Sequence, residues 1–148
     1  MKNIFSITLF IFAVAFFSQS VNAQTEAQKV ELCTKVAGGA SLLSSYPVKL
    51  DAAKDGERQP IFRQPVMIRK DNKYRFTICT DEESAGEAIM QLYEEGRLVL
   101  SSYIPETGKT YQNVDFECKK SAAYMIMISF KDGRDGSAVG IVSHVKTL

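Results

Sequence analysis

The chain has 148 residues, 45% of them hydrophobic, with 18 Lys and Arg against 17 Asp and Glu for a net charge of +1. One domain of ordinary size fits that length, and a chain this long buries its own core. A balanced charge with no basic stripe gives no long-range pull toward nucleic acid or anionic lipid, so no nucleic-acid partner is expected.

Lys2 gives a positive start, and Ile4 to Phe17 (IFSITLFIFAVAFF) is apolar and uncharged. Ser18 to Ala23 (SQSVNA) follows, with Val21 and Ala23 at the −3 and −1 positions of a cleavage site. This is the pattern of a secretory signal peptide over 1–23. The apolar run is shorter than the roughly 18 residues that span a bilayer. The expectation is an exported protein, periplasmic or extracellular, with no membrane span after cleavage. No Cys lies near Ala23, which argues against a lipid anchor.

Residues 24–45 read as an N-terminal extension. Within it, Val30, Cys33, Val36 and Ala37 recur at helical spacing over Glu26 to Ala37, and Gly38-Gly39 ends the pattern. Residues 46–148 read as strands. Val48 and Leu50 alternate with charge, Asp51 to Pro60 is a polar loop, and Ile61 to Lys70 is a strand that Pro65 confines to an edge or bulge. Lys73 to Cys79 alternates cleanly, with Tyr74, Phe76 and Ile78 on one face. Thr80 to Gly86 (TDEESAG) is an acidic loop. Glu87 to Tyr93 and Arg97 to Tyr103 form a hairpin around Gly96, and Ile104 to Lys109 is a second turn.

Tyr111 to Cys118 is the next strand. Ala123 to Phe130 (AYMIMISF) is apolar on both faces, which predicts a central strand covered on both sides. Lys131 to Gly136 (KDGRDG) carries two Asp-Gly pairs, a strong hairpin signal, and Ala138 to Lys146 closes the sheet. About eight strands after one short helix predict an all-β fold, an antiparallel jelly-roll-like sandwich.

From Lys73 to Val145 the order of elements resembles the bacterial pre-peptidase C-terminal-like domain, a jelly-roll-like β-sandwich found beside secreted proteases. The matching pieces are KYRFTI, the apolar-Tyr pair and Gly turn of IMQLYEEGRLVL, NVDF, and SAAYMIMISF. Ala122 stands where that family usually has Gly. EAIMQLY lacks the family's Asp residues before the Leu-Tyr pair, and with them the associated calcium site. The resemblance implies an accessory, non-catalytic module. Residues 24–148 as a whole are similar to small stand-alone exported sandwich proteins of Gram-negative bacteria.

Three cysteines, Cys33, Cys79 and Cys118, sit in a chain bound for an oxidising compartment. Cys79 and Cys118 each end a predicted strand and are the expected disulfide; Cys33 is then free or pairs between chains. Their wide spacing, with no Cys-x-x-Cys, is not that of a metal site.

No catalytic constellation stands out. His144 is the single histidine, and no Gly-x-Ser-x-Gly is present. Asp81, Glu82, Glu83 and Glu87 are the chain's calcium candidates, but they lack alternating Asp/Asn spacing, so no metal or cofactor is expected. With no Trp, aromatic contacts fall to tyrosines. Tyr74 and Tyr124 are in phase with the core. Tyr93, Tyr103 and Tyr111, with Arg97, remain as contact candidates for a protein or glycan partner at the cell envelope. The function expected is a non-catalytic binding module. The alternatives are a carbohydrate- or calcium-binding module, a small hydrolase, or an inhibitor acting through Thr80–Gly86 or Ile104–Lys109.

Overall fold

The computed structural model describes residues 24–148; the expected signal peptide lies outside them. Helix α1 spans Glu26–Ala37. Thr25 caps it in a reciprocal box: its Oγ1 accepts from the Gln28 backbone N–H at 3.3 Å, and Gln28 Oε1 accepts from the Thr25 N–H at 2.9 Å. Gly38, at φ 75°, ends the helix in a conformation that L side chains rarely adopt.

Ten strands follow: β1 (Ser41–Leu50), β2 (Phe62–Ile68), β3 (Asn72–Thr80), β4 (Ala88–Glu94), β5 (Arg97–Ser101), β6 (Tyr103–Ile104), β7 (Lys109–Thr110), β8 (Asn113–Cys118), β9 (Ala122–Phe130) and β10 (Gly136–Thr147). Two four-stranded antiparallel sheets run β1-β10-β3-β8 and β2-β9-β4-β5, and β6-β7 is a separate small hairpin. This alternation of successive strands between two sheets is the jelly-roll sandwich that the strand pattern predicts. Both outer strands with a proline in mid-strand, β1 with Pro47 and β2 with Pro65, are sheet edges, where a missing N–H costs no ladder bond. Inward-facing Phe76, Ile78, Met90, Leu92, Tyr124, Ile126, Ile128, Phe130 and Val142 form the main core.

Three local expectations are corrected. The Asp-Gly segment is no hairpin. Asp132 and Gly133 do take positive φ, but β9 and β10 lie in different sheets and the segment carries the chain across the sandwich. Phe130 must reach the core, and that decides the path over local turn preference. By contrast, Glu95 and Gly96 (φ 48° and 79°) make the expected two-residue turn between paired β4 and β5.

The disulfide is Cys33–Cys79, with Cα atoms 5.8 Å apart, not Cys79–Cys118. Both cysteines of the expected pair end their strands, but β8 runs antiparallel to β3. Cys118 is therefore opposite Asn72, at the far end of β3 from Cys79. Seven residues of strand put them about 24 Å apart, beyond any disulfide's reach. Cys118 is a buried free thiol beside the Tyr124 hydroxyl. Burial, then the Cys118 contact, pushes the Tyr124 phenol well above its ordinary range.

Finally, the two sheets are finished differently. Helix α1 lies on the outer face of β10 and β3, burying Val139 and Ile141 under Cys33 and Ala37. We call this the covered sheet. No helix or strand among the described residues lies on the outer face of β2-β9-β4-β5, the open sheet. Strand β9 is central, as expected, but is covered on its inner face alone.

On the covered sheet Arg75 grips Asp115 through two bonds (2.7 and 3.0 Å) and donates a third, 3.0 Å, to the Ala37 carbonyl at the end of α1. The Arg75 guanidinium is the main cause holding the Asp115 carboxyl below its ordinary pKa. A depressed folded pKa means stability present above the unfolded value of about 3.9 and lost as pH falls through the folded one. The expected result is that wild type outlasts Asp115→Asn in urea at neutral pH, and that the gap closes as pH falls through the depressed Asp115 pKa. A gap independent of pH would show that the ion pair contributes nothing.

Candidate functional site

The open sheet's outer face is built by register. Strand alternation sends Ile89, Gln91 and Tyr93 of β4 outward, with Met125, Met127 and Ser129 of β9 and Arg63, Pro65 and Met67 of β2. Cross-strand pairing sets them in rows. One row reads Leu98–Tyr93–Met125–Pro65, and Ala123–Met67 lies beside it. The next reads Ser101–Gln91–Met127–Arg63. The result is an apolar stripe across all four strands with a polar row along its flank. Met67 is 71% exposed and Leu98 46%. Tyr93 stands half-buried between them, its hydroxyl donating to Gln91 Oε1 at 3.2 Å.

The contact candidates scatter. Tyr93 is in the stripe. Tyr103 opens β6, with the Lys131 ammonium 5.0 Å from its ring centroid, a cation–π distance. Arg97 sits at the hairpin tip, where it pairs with Glu94 at 3.2 Å. Lys120 also meets that tip, at 3.4 Å from Glu94 and 3.0 Å from Glu95. Tyr111, 45% exposed, lies on the passage from β7 to β8, on neither row. Sequence reasoning missed Pro65, Met67, Leu98, Met125 and Met127. The signal is present in β9, whose second apolar face implies a cover that no helix or strand among the described residues supplies.

The acidic loop is held from within. Asp81 Oδ2 accepts from Lys29 Nζ at 2.7 Å and from Ser137 Oγ at 2.6 Å, and Glu83 accepts from Lys29 at 3.1 Å. These carboxylates hold the Lys29 ammonium above its ordinary pKa, Asp81 foremost. One ammonium thus occupies the ground between the two best calcium candidates. Glu82 and Glu87 are exposed and do not join them. Among the described residues no three metal-ligating side chains converge.

Ser137 donates to a carboxylate rather than to an imidazole. His144 is half-buried on β10, its Nε2 2.9 Å from Asn72 Oδ1 and its ring edge-on to Tyr74. That arrangement positions a strand end; it activates no nucleophile.

Fold and site thus define a jelly-roll β-sandwich with one sheet capped by a helix and the other open and apolar. The chain matches no family model and no curated protein. Its fold is similar to the crystal structure of PliG from Aeromonas hydrophila, a periplasmic lysozyme inhibitor of g-type lysozyme. The TM-score is 0.52 at 9% identity, over 72% of this chain and 89% of that one. At this identity the likeness is one of fold. Among the described residues no helix is long and apolar enough to cross a membrane.

Proposed function

We propose that this protein is an exported, non-catalytic binding module that docks a protein partner on the outer face of its open sheet. The observation that carries the reading is the stripe Leu98–Tyr93–Met125–Pro65 with Met67 beside it, a contiguous apolar surface on which no helix or strand of the described residues lies. Arg63 ends the flanking row without an ion-pair partner among the described residues. The partner that fits presents apolar side chains to the stripe and a carboxylate to Arg63. The resemblance to accessory domains of secreted proteases supports the same reading.

The test is a pull-down from the cell envelope and culture medium with tagged protein, read by mass spectrometry beside a Met67→Glu, Tyr93→Ala variant. A protein captured by wild type and lost by the variant supports the reading; the same captures from both would sink it. A glycan array covers the carbohydrate alternative. Glycan binding that Tyr93→Ala abolishes would assign the stripe to sugar instead.

A second reading, a secreted enzyme inhibitor, is favoured by the fold shared with a lysozyme inhibitor. It would act through a loop such as Ile104–Lys109, where Ile104 is exposed. Slowed lysis of cell walls by a g-type lysozyme, relieved by Ile104→Ala, is its expected result. Unchanged lysis at excess protein rejects it.

For the acidic loop we propose no calcium role, since Lys29 already neutralises Asp81 and Glu83. Excess Ca²⁺ should leave the melting temperature unchanged; a bound ion would raise it by mass action.

A further inference from the structure

Helix α1 rests on the covered sheet by one covalent bond and a few polar contacts. The Cys33–Cys79 disulfide ties its middle to β3. Lys29 anchors its first turns to Asp81 and Glu83. At its end Arg75 donates to the Ala37 carbonyl at 3.0 Å, and Asn113 Nδ2 to the Val36 carbonyl at 2.9 Å. Its apolar contribution is small: Cys33 and Ala37 are its buried residues, with Val30 partly buried beside them.

This cluster is separate from the main core, which is filled wholly by strand residues. A helix of 12 residues is marginal on its own. Gly38-Gly39 follows it directly, with positive φ at Gly38 and open space around the Cα of Gly39. The pair is a ready hinge between α1 and β1. The disulfide also borders an open cleft of about 160 Å³ lined by Gln24, Lys29, Cys33, Cys79, Asp81 and Gln112. Cys79 is half-buried and Cys33 fully so, so a nucleophile entering the cleft meets Cys79 first.

We propose that Cys33–Cys79 is a redox-sensitive staple: a dithiol reductant opens it, α1 swings from the sheet about Gly38-Gly39, and Val139 and Ile141 are uncovered while the jelly roll stays folded. In the exchange a thiolate of the reductant attacks Cys79 Sγ, and the S–S bond breaks with its electron pair leaving on Cys33. The reductant's second thiolate then attacks its own sulfur in the mixed disulfide and releases Cys79. The reductant leaves as a disulfide, and the two protons it carried end on Cys33 and Cys79.

The test is hydrogen exchange by mass spectrometry on residues 24–148, oxidised and after dithiothreitol, with a Cys33→Ser, Cys79→Ser variant as the permanently opened form. The expected result is exchange at least ~10-fold faster over 26–37 in both opened forms, while 139–142, bonded within β10 to β1 and β3, keep their protection. Residues 88–92 and 124–130 keep their protection, and Cys118 stays closed to alkylation. Three results would overturn the proposal. The helix keeps its oxidised protection in both forms; or the core loses protection together with the helix; or native protein resists dithiothreitol.

Discussion

Phe130→Ala is expected to lower the unfolding free energy by about 3–5 kcal/mol, the largest effect of any single truncation in this fold. Phe130 is 1% exposed and ends β9 where the chain leaves the open sheet for the covered one. Two glycines are shaped around it. A Cβ on Gly86 would lie 2.8 Å from the Phe130 Cβ. One on Gly136 would collide with the ring and come within 2.5 Å of Ser84 Oγ. Backbone therefore walls the ring at Gly136, while Gly86 packs against the Cβ that alanine keeps, and neither glycine has a side chain that can fill the space. The cavity left by alanine stays open, which puts the cost at the upper end of such truncations. Urea unfolding gives the number. A loss under ~1 kcal/mol would mean that the crossover collapses onto the gap and that the glycines are not shaped by the ring.

The second large effect is on binding, and it separates surface from scaffold. Met67→Glu is expected to weaken the partner complex at least ~30-fold, the cost of a hot-spot residue of about 2 kcal/mol or more. Its stability should stay within ~0.5 kcal/mol of wild type, because the side chain is 71% exposed and supports no core residue. Tyr93→Ala should weaken binding comparably but also cost ~0.2–1 kcal/mol of stability through its cross-strand neighbours Leu98 and Met125. Tyr111→Ala, exposed but off the stripe, is the control and should bind as wild type. Titration calorimetry with the captured partner reads all three. If Met67→Glu and Tyr93→Ala bind normally while Ile104→Ala does not, the interface belongs to the β6-β7 loop and the inhibitor reading takes its place.

The apolar stripe of the open sheet is only half legible in the sequence. Tyr93 stands out in the sequence because it ends the predicted strand Glu87–Tyr93 beside the hairpin turn. Met125 and Met127 give β9 a second apolar face and with it the expectation of a cover on both sides, but such a pattern has two meanings, a second covering layer or an open surface. The choice depends on where α1 docks, and α1 docks on the other sheet because Cys33 meets Cys79 there. Arg97 and Tyr111 look equally available in the sequence; one is paired with Glu94 and the other lies outside the rows.

What the sequence determined by itself is what short-range physics controls. The cap box and Gly38 set α1, and period-2 alternation sets β3, β4 and β9. Positive φ at Glu95 and Gly96 sets one hairpin, and two prolines mark two edges. Each depends on neighbours within a few residues. Only the tertiary structure decided the disulfide, the fate of the Asp-Gly segment and the open face. Antiparallel pairing puts Cys118 at the wrong end of β3. Burial of Phe130 turns the Asp-Gly segment into a crossover between sheets. A single helix covers one face of the two-sheet sandwich, so among the described residues the other face, no less apolar in sequence, stays open.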